Sequence, residues 1–167
     1  MSNTAQSNEM KVIREVSIQA ENCYKAATAL GDHAAHVLGN RHRAQMTGLE
    51  NVADSTFKTS DVFDYIKRQT ARQPHWRQPS PEEKNSGIGF GERLKNYLEG
   101  KLKESLKEPL QIIYHHLNIG NNTDEDQQER KRIHLLLIRQ IIHHMVIQYE
   151  YRVSTPQNNP TNKKRES

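Results

Sequence analysis

IHLLLIRQIIHHMVI, residues 133–147, is the stretch that decides the fold, because its apolar residues recur at helical spacing. Residues three and four positions apart share one side of a helix. Two such stripes are present: Ile133, Leu136, Leu137, Ile141 and Met145, and then Leu135, Ile138, Ile142, Val146 and Tyr149. A helix with two apolar sides needs neighbours on most sides. The stretch therefore predicts a long helix over 124–152 at the centre of a bundle.

The rest of the chain shows shorter helical patterns. A turn sequence at 119–122 precedes Thr123, which suits an N-cap, and the acids at 124–126 complement a helix N-terminus. Further patterns cover 9–38 (with Gly31 as a candidate break), 41–57, 60–72, 91–107 and 108–118. Phe57 belongs to the apolar side expected to be buried in 41–57, and Leu102 to that of 91–107. No strand-like alternation is long enough to build a sheet. The sequence predicts an all-α, single-domain bundle of five or six helices with a long central C-terminal helix.

The ends of the chain and one internal stretch differ in composition from these patterns. Residues 1–8 are polar with little to bury, which predicts a disordered N-terminus before a helical domain over 9–153. The prolines and glycines of 73–91 predict a mobile loop, pinned by Trp76 or Phe90. Residues 154–167 predict a disordered basic tail that ends in Lys163-Lys164-Arg165.

Cysteine use and hydropathy bear on the compartment. The single cysteine, Cys23, cannot form an intramolecular disulfide, and the N-terminus lacks the charged-then-apolar order of a signal peptide. The most apolar stretch, 133–147, contains Arg139 and is too short to span a bilayer. We expect a cytoplasmic protein without membrane contact.

The candidate catalytic and metal-binding features are weak. Neighbouring histidines on a helix point about 100° apart, so the pairs at 115–116 and 143–144 each offer one ligand to a given ion. His33 and His36 have a spacing that a metal accepts, but no third ligand is evident. The run Gly87-Ile88-Gly89-Phe90-Gly91 either exposes N–H groups to a phosphate or is a flexible helix entry. We expect no enzymatic activity, no cofactor and no metal.

Basic residues between 41 and 77 are the most informative feature, because the net charge is +4 and they recur along two predicted helices. Cations beside an aromatic ring suit a single-stranded nucleic acid, whose phosphates they neutralise and whose bases stack on the ring. The candidate contacts are Arg41, Arg43, Lys67, Arg68, Arg72 and Arg77, with Trp76 as the stacking ring. In the alternative interpretation these cations form a solvated face, and Trp76 anchors the loop.

Two segments carry a family resemblance. Residues 43–50 (RAQMTGLE) and 61–72 (DVFDYIKRQTAR) resemble small helical proteins of type III CRISPR loci, and among these the small subunit of the effector complex. The resemblance covers about the middle third of the chain. It implies a non-catalytic helical bundle present in several copies along a ribonucleoprotein, with basic faces on RNA and apolar edges on neighbouring subunits.

Two functional hypotheses follow from these features. The first is a non-catalytic, RNA-binding small subunit of a type III CRISPR-like ribonucleoprotein that contacts phosphates without reading base sequence. The alternative is a helical protein–protein adaptor or scaffold without nucleic-acid binding, whose long first helix buries its stripe against a partner. Other protein subunits are expected partners in both hypotheses, and a homo-oligomer is among the expected assemblies.

Overall fold

The structure, a computed structural model, describes residues 2–82 and 87–155 and is all-helical over those ranges. The helices are α1 (Ser2–Asn22), α2 (Tyr24–Leu38), α3 (Arg43–Ser55), α4 (Thr59–Arg72), a 3-10 helix (Pro74–Arg77), α5 (Phe90–Glu99), α6 (Lys107–His116) and α7 (Asp124–Ser154). The all-α prediction is confirmed. The described chain has seven α-helices, however, where five or six were predicted.

Helix α7 is the central element, as its two apolar stripes predicted. It packs against α1, α2, α3, α4 and α6. Nine of its residues are buried: Ile133, Leu135, Leu137, Ile138, Ile141, Ile142, Met145, Val146 and Tyr149. The Thr123 hydroxyl accepts a hydrogen bond from the Asp126 amide at 3.1 Å, so the predicted N-cap is confirmed.

The first predicted helix is divided at Cys23, which accounts for the higher helix count. The Cys23 amide donates to both the Gln19 and the Ala20 carbonyls, at 3.0 and 3.2 Å, a bifurcated pattern that is common at helix ends. Gly31, the predicted break, lies inside α2. A Cβ at Gly31 would lie 2.6 Å from both the Gln148 Cβ and the Met145 carbonyl oxygen of α7. Gly31 is therefore needed for the close approach of α2 and α7.

The N-terminus differs from the prediction of a disordered segment over 1–8, because α1 begins at Ser2. Residues 3–11 of α1 are exposed, so burial does not hold this part of the helix. Adding a residue to an existing helix costs far less than nucleating one, and this segment contains no proline or glycine. Only the first two residues of the predicted basic tail are described, and its Lys163-Lys164-Arg165 lies outside the described residues.

Helices α3 and α4 form an antiparallel hairpin. The Tyr65 hydroxyl of α4 donates to the Gln45 carbonyl of α3 at 2.7 Å, which joins the start of α3 to the second half of α4. The turn between them buries Thr56, whereas Phe57, predicted to pack in the core, is 95% exposed. The prediction for Phe57 is wrong because α3 ends at Ser55 and the chain leaves the helical register two residues before the ring.

The proline- and glycine-rich stretch is held at both ends, since Trp76 and Phe90 are both fully buried and their ring centroids lie 5.0 Å apart. Two of its glycines, Gly89 and Gly91, lie where a side chain would not fit. A Cβ at Gly89 would lie 2.6 Å from the Arg77 carbonyl, and one at Gly91 would overlap the Thr70 hydroxyl.

Helix α5 ends earlier than the predicted 91–107, because Gly100 takes a left-handed conformation with φ of 71°. Leu102, expected in the stripe of that helix, is 55% exposed as a result. Pro109 lies in the first turn of α6. Backbone N–H groups in a first turn have no acceptor within the helix, so the N–H that proline lacks costs no hydrogen bond.

His134 of α7 gives the fold a pH dependence. Its Nε2 donates to the Leu98 carbonyl at 2.6 Å, and burial lowers the pKa of His134 below its usual 6.5. Because the unfolded chain binds this proton more readily, the free energy of unfolding is expected to fall as the pH drops from 6.5 through the lowered pKa. Below that pKa both states carry the proton, and the contribution of His134 levels off.

Urea denaturation at a series of pH values measures this effect. In His134→Gln the amide still donates to Leu98 but does not titrate, so the loss of stability between pH 7 and pH 5 should be smaller than in the wild type. Equal losses in both proteins would contradict the role of His134.

Candidate nucleic-acid interface

The basic end of the α3–α4 hairpin brings together residues from the start of α3 and the end of α4. The imidazole rings of His42 and His75 lie with centroids 4.3 Å apart. Arg41 directly precedes His42, and Arg72 lies three residues before His75. Arg41 and Arg72 therefore lie at the same end of the hairpin, although thirty residues separate them in the chain.

Arg68 lies on the same side of α4 as Arg72. Arg68 and Arg72 are one helical turn apart, and Tyr65, three residues before Arg68, contacts α3. Arg41, Arg68 and Arg72 are exposed, and none has an ion pair or hydrogen bond to another described residue. We call these three residues the α3–α4 arginine surface. An exposed guanidinium without a carboxylate partner can donate to an incoming anion without breaking an existing ion pair.

Lys67 lies on a different side of α4. It shares that side with Phe63 and Thr70, which border α7 and α5 respectively. Its ammonium lies 3.9 Å from the Asp64 carboxylate, and both side chains are more than half exposed. The prediction that Lys67 belongs to the same outward patch as Arg68 and Arg72 does not match this placement.

Arg43 faces α7. It lies seven residues, two helical turns, before Glu50, which contacts His143 of α7 at 3.4 Å. Burial raises the pKa of Tyr149, also on α7, and the nearby Arg43 guanidinium opposes that rise. Arg43 also donates to the Asn40 side chain at 3.0 Å. Arg43 therefore projects from the side of α3 opposite to α4, away from the α3–α4 arginine surface.

Two of the predicted nucleic-acid contacts, Arg77 and Trp76, lie in the 3-10 helix that follows α4, and both have structural roles. Arg77 donates to the carbonyls of Thr70 and Ala71, at 2.8 and 3.1 Å, and so satisfies carbonyls in the last turn of α4. Trp76 is 0% exposed, and its Nε1 donates to the Gln45 side chain at 2.7 Å. The prediction of Trp76 as a stacking ring is wrong, since a base cannot reach a fully buried ring.

Carboxylates of the hairpin lie away from the α3–α4 arginine surface or bind other groups. Asp61 accepts a hydrogen bond from Thr56 at 2.5 Å and lies 4.0 Å from the Lys58 ammonium. Asp64 pairs with Lys67, and Glu50 with His143. Acids thus concentrate toward the turn of the hairpin and unpaired arginines toward its open end. This polarity agrees with the charge gradient in the sequence of α4.

A cleft of about 500 Å³ lies between α2, residues 80–82 and the end of α7. Two arginines, Arg93 and Arg152, and two acids, Asp32 and Glu82, line it. Asp32 accepts hydrogen bonds from Arg152 and Gln148, at 2.8 and 2.7 Å. This cleft could not be predicted from the sequence, because its lining comes from segments more than a hundred residues apart. Its balanced charge gives it no preference for an anion.

Potential ligands for a metal are dispersed. Among residues 2–82 and 87–155, no group of three or more His, Cys, Asp or Glu is placed to hold an ion. His33, one of the two histidines with suitable spacing, is 1% exposed and donates to the Gln78 carbonyl at 2.9 Å. Burial raises the pKa of the Cys23 thiol, against the effect of its hydrogen bond with Tyr97, and thereby disfavours a reactive thiolate.

Comparison with protein-family models, curated proteins and solved structures finds no match to this chain. In the part of the chain that the structure describes, no helix combines the length and the apolar character needed to cross a bilayer.

Proposed function

We propose that this chain is a non-catalytic helical subunit that binds the phosphate backbone of RNA through Arg41, Arg68 and Arg72. The assembly we propose is a type III CRISPR-like ribonucleoprotein, because residues 43–50 and 61–72 resemble the small subunit of such complexes. The two resembling segments lie in α3 and α4, the helices that present the α3–α4 arginine surface.

The observation that carries this proposal is the group of three exposed arginines at one end of the hairpin, none of which has a carboxylate partner in the described part of the chain. Arginine suits phosphate because its planar donors contact two oxygens at once. Side chains that offer only guanidinium groups to the backbone hold a strand without reading its bases. The buried Trp76 removes the stacking ring from this interface, so binding should depend on charge.

A salt titration of fluorescein-labelled single-stranded RNA, followed by fluorescence anisotropy, tests the proposal. Three neutralised phosphates give a slope of about −2 in log K against log salt for a single strand. The variant Arg41→Gln/Arg68→Gln/Arg72→Gln should lose this slope and bind on the order of 50-fold more weakly at roughly 0.15 M salt.

A matched control removes the same charge elsewhere. Lys11, Lys103 and Lys131 are exposed on α1, the α5–α6 connection and α7, and none has an ion pair among the described residues. Lys11→Gln/Lys103→Gln/Lys131→Gln should bind almost as the wild type does. Equal losses in the two triple variants would mean that net charge alone attracts RNA, and no binding at low salt would refute the proposal outright. Equal affinity for DNA of the same sequence would overturn the assignment to RNA.

A second candidate function is a protein–protein adaptor without a nucleic-acid role. It is favoured by the exposed apolar side chains of α1 and α7, which include Met10 at 67% and Tyr151 at 61% exposure. Surfaces of this kind mark protein contacts when the apolar residues are contiguous.

A further inference from the structure

Two imidazole rings lie beside the α3–α4 arginine surface, and the proposed phosphate contacts do not use them. His42 directly precedes α3 as its N-cap residue, and His75 lies in the 3-10 helix that follows α4. Their ring centroids are 4.3 Å apart, and the ring planes differ by 35°. We call these two residues the imidazole pair. Because its rings come from two separate elements, this aromatic surface exists only in the folded chain.

Buried neighbours hold the imidazole pair in place. Trp76, which follows His75 directly, is 0% exposed, and its indole N–H donates to the side-chain oxygen of Gln45 at 2.7 Å. The side-chain nitrogen of the same glutamine lies 3.5 Å from Nδ1 of His42. The segments that carry the two rings are thus joined through one side chain of α3. A ring that is already fixed loses little conformational entropy when a ligand packs on it.

The imidazole pair also reaches solvent. Both residues are half-buried, and no hydrogen bond joins the His75 ring to another described residue. Within residues 2–82 and 87–155, every side-chain nitrogen or oxygen of a non-exposed residue that is shut off from solvent has a hydrogen-bond partner. The nitrogens of His75 have no such partner there, so the edge of this ring must be open to solvent.

Cations flank the imidazole pair on both segments. Arg41 directly precedes His42, and Arg72 lies three residues before His75. Both arginines belong to the α3–α4 arginine surface, where they are exposed. A strand whose phosphates contact Arg41 and Arg72 therefore passes the two rings, and a base on that stretch of the strand lies beside them.

Cations beside aromatic rings are typical of sites for unpaired nucleic-acid strands, because the cations neutralise phosphates and the rings stack on bases. Histidine is among the side chains that stack on RNA bases. We propose that the imidazole pair stacks on an unpaired base of the bound RNA strand. This inference rests on the proposed function, since the arginines must first hold the backbone. Every base has an aromatic face, so the contact adds affinity without reading the sequence.

Fluorescence anisotropy with two fluorescein-labelled oligomers tests the stacking. One is a short oligouridylate, and the other is an abasic ribose-phosphate oligomer of the same length and charge. The wild type should bind the oligouridylate about 5-fold more tightly, which is the lower end of what stacking one base on an aromatic ring contributes. The slope of log K against log salt should be the same for both, because they carry equal numbers of phosphates.

Substitutions at His75 separate stacking from hydrogen bonding and from charge. His75→Ala removes the ring and should lower the affinity for the oligouridylate to that for the abasic oligomer. His75→Phe keeps a flat ring without nitrogen or charge and should retain the preference. His115→Ala is the matched control, because His115 is exposed on α6 and its ring neighbours that of His116 at 6.2 Å between centroids. It should bind as the wild type does. Circular dichroism should show unchanged helicity in all three variants.

Three outcomes would count against the imidazole pair. Equal affinity of the wild type for both oligomers, with the salt slope of about −2 intact, would overturn the stacking and leave the phosphate contacts standing. That comparison needs no variant, so it does not depend on how a substituted chain folds. A loss in His75→Phe as large as that in His75→Ala would also overturn it, since the ring nitrogens and not the ring face would then bind RNA. Binding of neither oligomer at low salt would refute the proposed function itself.

Discussion

Replacing Trp76 with alanine is expected to lower the free energy of unfolding by about 3–5 kcal/mol, the usual cost of removing a buried aromatic side chain. Trp76 is 0% exposed, packs on Phe90, and donates its indole N–H to Gln45 of α3 at 2.7 Å. The ring therefore joins the 3-10 helix to both α3 and α5. Urea denaturation followed by far-ultraviolet circular dichroism measures the loss, since Trp76 is the sole tryptophan and a fluorescence signal would disappear with it.

A phenylalanine variant separates packing from hydrogen bonding and from RNA contact. Trp76→Phe keeps an aromatic ring against Phe90 but leaves the Gln45 acceptor without its donor, for an expected loss of about 1–2 kcal/mol. RNA affinity of the folded Trp76→Phe protein should equal that of the wild type, because the buried ring does not reach the ligand. An RNA-binding defect with unchanged stability would contradict the buried position of Trp76 and restore the stacking interpretation.

Replacing Gly31 with valine is expected to lower the free energy of unfolding by about 3 kcal/mol or more. A Cβ at this position would lie 2.6 Å from the Met145 carbonyl, a backbone atom of α7 that cannot rotate away, and 2.6 Å from the Gln148 Cβ. Helix propensity acts in the opposite direction, since glycine is a poor helix former. The clash should outweigh that gain because α2 and α7 must move apart along their whole contact. Thermal and urea denaturation report the change.

A valine at Ala29 is the matched control, because it enters the same helix. Ala29 lines the cleft beside α2, so the added methyl groups reach open space. Ala29→Val should cost much less than Gly31→Val. Similar losses in both variants would show that any valine disturbs α2, and the close crossing at Gly31 would not be the cause.

The fold could largely be predicted from local pattern. The doubled stripe of α7 marked the central helix, and Thr123 with its following acids marked where that helix begins. Both features depend only on the spacing of residues within one segment, and this spacing can be read directly from the sequence. The division at Cys23 and the exposure of Phe57 could not be predicted, because each depends on where a helix ends, and the apolar spacing continues past both of these ends.

The candidate interface could be predicted only in part. Sequence showed that arginines concentrate around α3 and α4, and that acids of α4 lie toward its start. It could not show that Trp76 turns inward or that Arg77 binds the last carbonyls of α4. Both outcomes depend on the path of the chain after Arg72, and a small change in that path redirects a side chain completely.

The sequence by itself determined the helical class, the central position of α7 and the basic character of the α3–α4 hairpin, because periodicity and charge are properties of neighbouring residues. Only the tertiary structure decided which cations share a surface. Arg43 lies on the side of α3 that faces α7, and Lys67 pairs with Asp64. Arg41, Arg68 and Arg72 instead lie at the end of the hairpin where His42 contacts His75. Side chains a few positions apart on one helix point in different directions, and the packing of the other helices determines which of those directions stays open to a ligand.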